Sequence, residues 1–321
     1  MNLSKSEIER VRRRIAPNIR NTPLLTCLYF DEMVGGDIIF KCENFQKTGS
    51  FKIRGASNAV SKLQQSANNA LFTAHSSGNH GQALAAAARR VNAEAIIVMP
   101  QNAPRVKVEA VKHYGGQVVM CKANLEEREK TCKTVMKETG AVFIPPYDSI
   151  DIIEGQSTCA AELLQEEKNF DYILTPVGGG GLLSGSVLAA KALHPSTTVI
   201  GCEPAGADDA YQSMKMKKRI PQKSPKTVAD GLRTSLGKHN FRVLIENNTQ
   251  ILTVSETEIL DALRQVYERM KIVIEPSCAV PVAVLLKYKE LFAGKKTGVI
   301  LSGGNVDLQV FFNDLDKKIT A

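Results

Sequence analysis

Short apolar, β-branched runs alternate along this chain with longer stretches whose apolar positions recur at helical spacing. Ile38 to Lys41 reads as a strand, and Phe72 to Ala74 as another, followed by helical Gln82 to Arg90. The rhythm continues with strand Ala95 to Val98, helix Arg105 to Tyr114, strand Val118 to Cys121, helix Leu125 to Lys137 and strand Ala141 to Ile144. It resumes with helix Thr158 to Glu167, strand Tyr172 to Thr175, helix Leu182 to Ala192 and strand Thr198 to Cys202. Ser255 and Glu258 form a capping box that opens a helix to about Lys271, and Ser4 with Glu7 forms another near the start. Helix Val280 to Tyr288 and strand Gly298 to Leu301 close the core. Such alternation predicts an α/β protein with open, mostly parallel sheets and helices on both faces. The stretch from Ala205 to about Gln250 is polar and rich in Pro and Lys, so irregular structure is expected there, with Ala229-Asp230-Gly231 returning to a site.

Composition narrows the classes. The 321 residues, 43% hydrophobic, are enough for two domains or one large one. No apolar run is long enough for a membrane span, and the N-terminal stretch lacks the apolar centre of a signal peptide, so a cytoplasmic protein is expected. The cysteines at 27, 42, 121, 132, 159, 202 and 278 are odd in number and contain no Cys-x-x-Cys, which argues against a disulfide framework or a zinc site. The +8 charge collects in local runs such as Arg10 to Arg14 and Lys215 to Arg219. Trp is absent and no nucleic-acid module is present, so solvated basic faces and anionic small substrates account for it better than nucleic acid does.

Five stretches carry candidate chemistry. Lys52 lies between Phe51 and Ile53, after Ser50 and before Arg54-Gly55. Apolar neighbours lower an ammonium pKa and suit a lysine to Schiff-base chemistry. Taken alone, the same pattern is that of a snorkelling lysine on an amphipathic helix. Val177 is followed by Gly178, Gly179, Gly180, Gly181 and Leu182 between a strand and a helix. There backbone N–H groups can converge on an anion at a helix N-terminus, as for a phosphate. A dinucleotide fingerprint would need glycine where Ser184 stands, although Glu203 lies at the distance of a ribose-binding acid. His75 to Gly81 places Ser76, Ser77, Asn79 and His80 at a helix start, a set suited to a carboxylate. Ser302, Gly303, Gly304 and Asn305 end another strand, and ligands of open α/β sheets sit at such carboxyl ends. Glu203 to Asp209 could hold a hard cation, or could be an acidic surface loop.

Together KTGSFKIRGA, HSSGNHGQA, PVGGGGLLSG and LSGGNVDL resemble the serine racemase and serine/threonine dehydratase family of fold-type II pyridoxal-phosphate enzymes, from about Ile15 to Leu308. Ser76-Ser77, CEPAGADDAYQS and the stretch from Glu268 to Pro276 are similar to the racemases in particular. The resemblance implies a tryptophan synthase β-like fold, with residues 1–71 and 147–321 as a large cofactor domain and 72–146 as a small domain that closes on substrate. It implies pyridoxal 5'-phosphate on Lys52, Phe51 against the ring, Asn79 at its phenolic oxygen, Gly178 to Leu182 at the phosphate and Ser302 at the ring nitrogen. Ser76, Ser77, Asn79, His80 and Arg128 would hold the substrate, with Lys52 and Ser77 as the catalytic pair on opposite faces. Glu203, Ala207 and Asp209 would bind Mg²⁺ or Ca²⁺. Lys47, Thr48, Gln82, Tyr114 and Asn305 fall at the racemases' ATP site, where Cys27-Leu28 replaces a pair of serines.

The implied activity is serine racemisation with β-elimination from L-serine or L-threonine to a keto acid and ammonia, in a homodimer. The alternatives are a threo-3-hydroxyaspartate or threonine dehydratase without racemisation, and a non-catalytic protein binding nucleotide or amino acid through the same loops.

Overall fold

The computed structural model describes residues 1–66, 70–76, 78–103 and 105–308. Helix α1 (Lys5–Ile15) starts where its capping box requires: the Glu7 N–H donates to the Ser4 side chain, and the Glu7 carboxylate accepts from the Ser4 backbone. Its apolar face buries Ile8, Val11 and Ile15. Then come β1 (Leu24–Thr26), α2 (Leu28–Val34), β2 (Asp37–Cys42) and α3 (Lys52–Ser66). The chain next builds a four-stranded lobe from β3 (Leu71–His75), α4 (Asn79–Arg90), β4 (Glu94–Pro100), α5 (Arg105–His113), β5 (Gln117–Cys121), α6 (Leu125–Thr139) and β6 (Val142–Phe143). Its strands are all parallel, in the order β5-β4-β3-β6.

The rest returns to the first sheet through α7 (Ile150–Glu166), β7 (Tyr172–Pro176), α8 (Gly181–Leu193), β8 (Thr198–Pro204), α9 (Asp209–Lys215), α10 (Lys238–Glu246), β9 (Gln250–Val254), α11 (Glu256–Gln265), α12 (Pro276–Lys287), α13 (Lys289–Phe292) and β10 (Lys296–Leu301). That sheet has six strands in the order β1-β2-β10-β7-β8-β9, parallel except for β1 against β2. The two mostly parallel sheets meet the expectation drawn from the alternation. β3, β7 and β10 end in the HSSGNH, tetraglycine and SGGN stretches, respectively.

Several elements differ from the sequence expectation, each for a physical reason. α7 begins at Ile150, not Thr158, because Gly155 inside it lets α3 approach: a Cβ there would lie 2.6 Å from the Arg54 carbonyl oxygen. α12 begins at Pro276, a residue well suited to the first helical turn. The stretch from 205 to 250 contains α9 and α10, whose short apolar faces, such as Val243 and Leu244, were hidden by a polar average. The helix from Ser255 runs as α only to Gln265, then as a π turn over Val266–Met270.

A buried ion network fixes α3. All five N–H groups of Arg54 are engaged: Glu43 receives two at 2.7 and 2.8 Å, Glu162 two at 2.8 and 2.6 Å, and Thr158 one at 3.2 Å. Lys41 joins through Glu162 at 2.9 Å and the Thr22 carbonyl at 2.8 Å. Burial disfavours the Arg54 charge, but the two carboxylates overcome it and raise its pKa well above the ordinary value. The network balances two cations with two anions, so its desolvation is compensated internally.

Candidate active site

Lys52 opens α3 with its amine facing the junction of the two sheets, where it donates to the Pro146 carbonyl at 2.8 Å. Its Nζ lies 5.0 Å from the centre of the Phe51 ring. Burial lowers the ammonium pKa to about 8, against an opposing pull from Glu275. Behind it the Phe51 N–H donates to the Ser302 carbonyl at 3.0 Å, and Ser50 bridges Gly303, so the strand after β10 and the start of α3 hold one another. Ser302 itself is buried.

The tetraglycine forms the floor. Gly180 has φ +91°, a left-handed conformation suited to glycine. A Cβ on Gly179 would lie 2.2 Å from the Tyr147 ring. The Gly179 carbonyl accepts from Asn240 at 2.8 Å and from the Gly237 N–H at 3.1 Å, so α10 braces the loop. Asp148 accepts the N–H groups of Lys238 and His239 at 2.8 Å each, which fixes α10 in turn. The loop opens α8, a helix of 13 residues, and its N-terminal N–H groups form an anion cradle.

The third wall comes from the four-stranded lobe. The Ser76 hydroxyl accepts the Gly78 N–H at 3.3 Å. Ser77 lies outside the described residues. His80 is buried with Nε2 2.9 Å from the Ile144 carbonyl, and burial together with the nearby Lys52 brings its pKa down to about 3. It is therefore neutral, and Nε2 donates. Arg128, half-buried on α6, acts on His75, whose pKa is lowered by burial first and by this guanidinium second.

Asn79 is held on both sides. Its amide nitrogen lies 2.9 and 3.1 Å from the two oxygens of Glu275, and its oxygen accepts from Asn305 at 2.9 Å. Glu275 directly precedes α12, makes no side-chain cap to it and is buried; burial, then Asp230, raises its carboxyl to about 7. Sequence reasoning quoted Glu275 only as part of a signature and gave it no role. An acid directly before a helix-opening proline was the available signal. Tyr147 and Asn240 also escaped it, because their work depends on packing against residues distant in the chain.

The remaining expected residues form two outlying groups. Glu203 is fully buried and accepts the Ala210 and Tyr211 N–H groups at 3.0 and 2.8 Å. Asp209 accepts from the Leu236 N–H at 2.7 Å, and burial raises its carboxyl to about 6. Burial also raises Glu203, and the two carboxylates act on each other unfavourably. Ala207 lies in the turn between them. Backbone N–H groups meet both carboxylates, and no cluster of three His, Cys, Asp or Glu side chains that could hold a metal ion occurs among the described residues. Elsewhere Lys47, Thr48 and Tyr114 line a pocket of about 450 Å³ with Arg20 and Arg90. Burial and the two arginines lower the Lys47 pKa. Asn305 stands behind this pocket, donating to the Thr48 carbonyl at 2.8 Å, and Gln82 is buried one turn along α4 from Asn79.

A desolvated lysine, a glycine cradle at a helix N-terminus and a buried hydroxyl beneath them make up the set a phosphorylated pyridine aldehyde requires. Glycine is required at the loop, since a Cβ on Gly179 would strike the Tyr147 ring and one on Gly180 the Leu236 and Asn240 side chains. Residues 15–303 match the family described as pyridoxal-phosphate dependent enzyme, and the chain belongs to that family. It is 45% identical to the serine racemase of Dictyostelium discoideum over 94% of each chain. It is 44% identical to the beta-hydroxyaspartate dehydratase of Paracoccus denitrificans, over 92% of this chain and 94% of that one. The solved structure of maize serine racemase superposes with a TM-score of 0.95 at 42% identity, covering 100% of this chain and 99% of that one. The protein is thus a fold-type II pyridoxal-phosphate enzyme of the racemase and ammonia-lyase group. The alternative of a non-catalytic binding protein is set aside. No helix among the described residues is long and apolar enough to cross a membrane.

Proposed function

We propose that this enzyme is a serine racemase that also converts L-serine and L-threonine to keto acid and ammonia. The observation that carries the reading is Lys52, whose amine donates to the Pro146 carbonyl at 2.8 Å beside the Phe51 ring and is lowered to about 8 by burial. Near neutral pH such a lysine has an accessible free-base form and can move a proton. Pyridoxal phosphate, when bound, supplies a sink for the electron pair left on the substrate Cα. Phe51, Asn79, Gly178 to Leu182 and Ser302 would hold it, the glycines at its phosphate and the other three around its ring.

The substrate carboxylate is received by Ser76, Ser77, Asn79 and His80, with Arg128 closing from α6. Lys52 takes the Cα proton on one face. Ser77, placed between Ser76 and Gly78, returns one on the other, which inverts the centre. Loss of the β-hydroxyl as water from the same deprotonated substrate leaves an enamine, whose imine tautomer adds water and releases keto acid and ammonia. Residues 72–146 form the lobe that closes on substrate and excludes water, against the body made by 1–71 and 147–321.

Glu203, the Ala207 carbonyl and Asp209 bind Mg²⁺ or Ca²⁺ away from the chemistry. The pocket of Lys47, Thr48 and Tyr114, backed by Gln82 and Asn305 and flanked by two arginines, takes ATP as an activator. A homodimer is supported by exposed Leu28 and Met33 on α2, and a cytoplasmic location by seven free cysteines. A hydroxyaspartate dehydratase is the second reading, favoured by Arg128 beside His75, where a second carboxylate could be met, and by the similarity to the Paracoccus enzyme.

A panel of L-serine, D-serine, L-threonine and threo-3-hydroxyaspartate, scored for keto acid and for enantiomer, separates the readings. Ser77→Ala should lose L-to-D conversion and elimination from D-serine by roughly a hundredfold, and should keep elimination from L-serine. Racemisation that survives the change would assign the second face to another residue. A parent enzyme that never forms D-serine would leave the dehydratase.

A further inference from the structure

Lys107 and Asp230 form an ion pair of 2.7 Å between elements that otherwise pack within different lobes. Lys107 is on α5, which packs on α4 and β5 of the four-stranded lobe. Asp230 opens the 3-10 turn Asp230–Leu232, which packs on α12. This turn is braced against the cofactor side of the site: the Gly231 N–H donates to Ser277 Oγ at 2.9 Å, and a Cβ on Gly178 would lie 2.9 Å from the Leu232 Cα. On the other side, α5 packs on α4, whose first residues are Asn79 and His80. The pair therefore spans from the helix layer behind the substrate loop to the turn against the phosphate cradle.

Its burial sets it apart from an ordinary surface pair. The Lys107 side chain is 13% exposed and that of Asp230 44%. On the same helix, Arg105 and Glu109 pair within one element at 91% and 58% exposure, an arrangement that holds nothing together beyond α5 itself. A partly desolvated pair that joins two bodies is worth more, and it stays sensitive to ionic strength because one end remains at the edge of solvent.

We infer that the Lys107–Asp230 ion pair is a latch holding the four-stranded lobe over the site, with Lys107 and Asp230 as positioning residues for substrate binding. The inference rests on the closure reading above. Neither residue touches the reacting atoms. Each acts by keeping the HSSGNH loop at its working distance from the tetraglycine.

The test uses the holoenzyme with whichever hydroxy-amino acid the panel selects. Lys107→Glu and Asp230→Lys should each raise KM about tenfold with kcat within about twofold, and the double reversal should restore KM to within about threefold. Both residues also act on Glu275, so affinity for pyridoxal phosphate, followed by fluorescence titration, should return with KM in the double reversal. The KM of the parent enzyme should rise about threefold between about 0.1 M and about 1 M KCl, as the Debye length falls from about 10 to about 3 Å. The single variants should lack that rise. The salt titration needs no variant, so a flat KM in the parent enzyme overturns the latch even if the variants fail to fold. Singles with unchanged KM, or a double that is no better than the singles, overturn it too, while turnover of the substrate leaves the proposed function standing. If crystals with and without a carboxylate inhibitor show no relative rotation of the lobes, the closure reading falls and the latch falls with it.

Discussion

Arg54 and Lys52 stand two residues apart at the start of α3, Arg54 fully buried and Lys52 partly so, and their surroundings treat charge in opposite ways. Arg54 meets five acceptors, and its charge is reinforced. Lys52 meets one carbonyl, with Glu275 as its opposing charge, and both groups are pushed toward neutrality, to about 8 and about 7. A saturated buried ion serves as scaffold, because every donor is met and nothing remains to react. An undersaturated one retains a proton that can be moved near neutral pH. The helix carries both so that the rigid residue fixes where the reactive one points.

The largest effect expected from breaking this contrast is at the amine. On the roles proposed for Lys52, general base and point of cofactor attachment, Lys52→Ala should lower turnover by roughly a thousandfold or more. Its melting temperature should stay close to that of the cofactor-free parent. The visible absorbance band of the bound cofactor should disappear, and a retained band with normal turnover would remove Lys52 from the chemistry.

Next in size is the scaffold. Arg54→Met strands Glu43 and Glu162 without their common cation and should cost about 3–5 kcal/mol of stability, read from urea midpoints. Soluble protein with unchanged stability would show that the network is dispensable.

The smallest effect is a trough in stability against pH for the cofactor-free chain. Glu275 is raised from its ordinary 4.5 to about 7, so the folded state binds the extra proton between those values, and stability falls as pH rises through them. Lys52 is lowered from 10.5 to about 8, so stability is present above its ordinary value and is lost as pH falls toward about 8. Each limb is worth at most about 3 kcal/mol. Glu275→Gln should flatten the acid limb and Lys52→Met the alkaline one. Asp209, raised to about 6, slopes the same way as Glu275, so the difference between variant and parent is the quantity to measure. Parallel curves for parent and Glu275→Gln would mean that Glu275 ionises as an ordinary carboxyl.

Much of this was legible in the chain itself. The alternation of apolar periods gave the α/β class and most strands, because each strand is a short local run and each long helix an amphipathic one. The four loop stretches were legible for the same reason: a glycine cluster or a capping hydroxyl at a strand end acts locally, whatever surrounds it. The early start of α7 was not, because helical Gly155 pays off only where α3 crosses it. Nor was α10, whose polar sequence becomes a helix against α8 and α9.

The sequence by itself determined the candidate residues and the order of the elements that present them: Lys52 among apolar neighbours, four glycines before a helix, serines and an amide before another. Only the tertiary structure decided what each would feel. It set Glu275 against Asn79, Tyr147 over Gly179, and Lys107 across from Asp230, pairs separated by 32 to 196 positions along the chain. The reason is that burial and the field of neighbouring charges depend on distance in space, and chain order does not encode that distance until the sheets have formed.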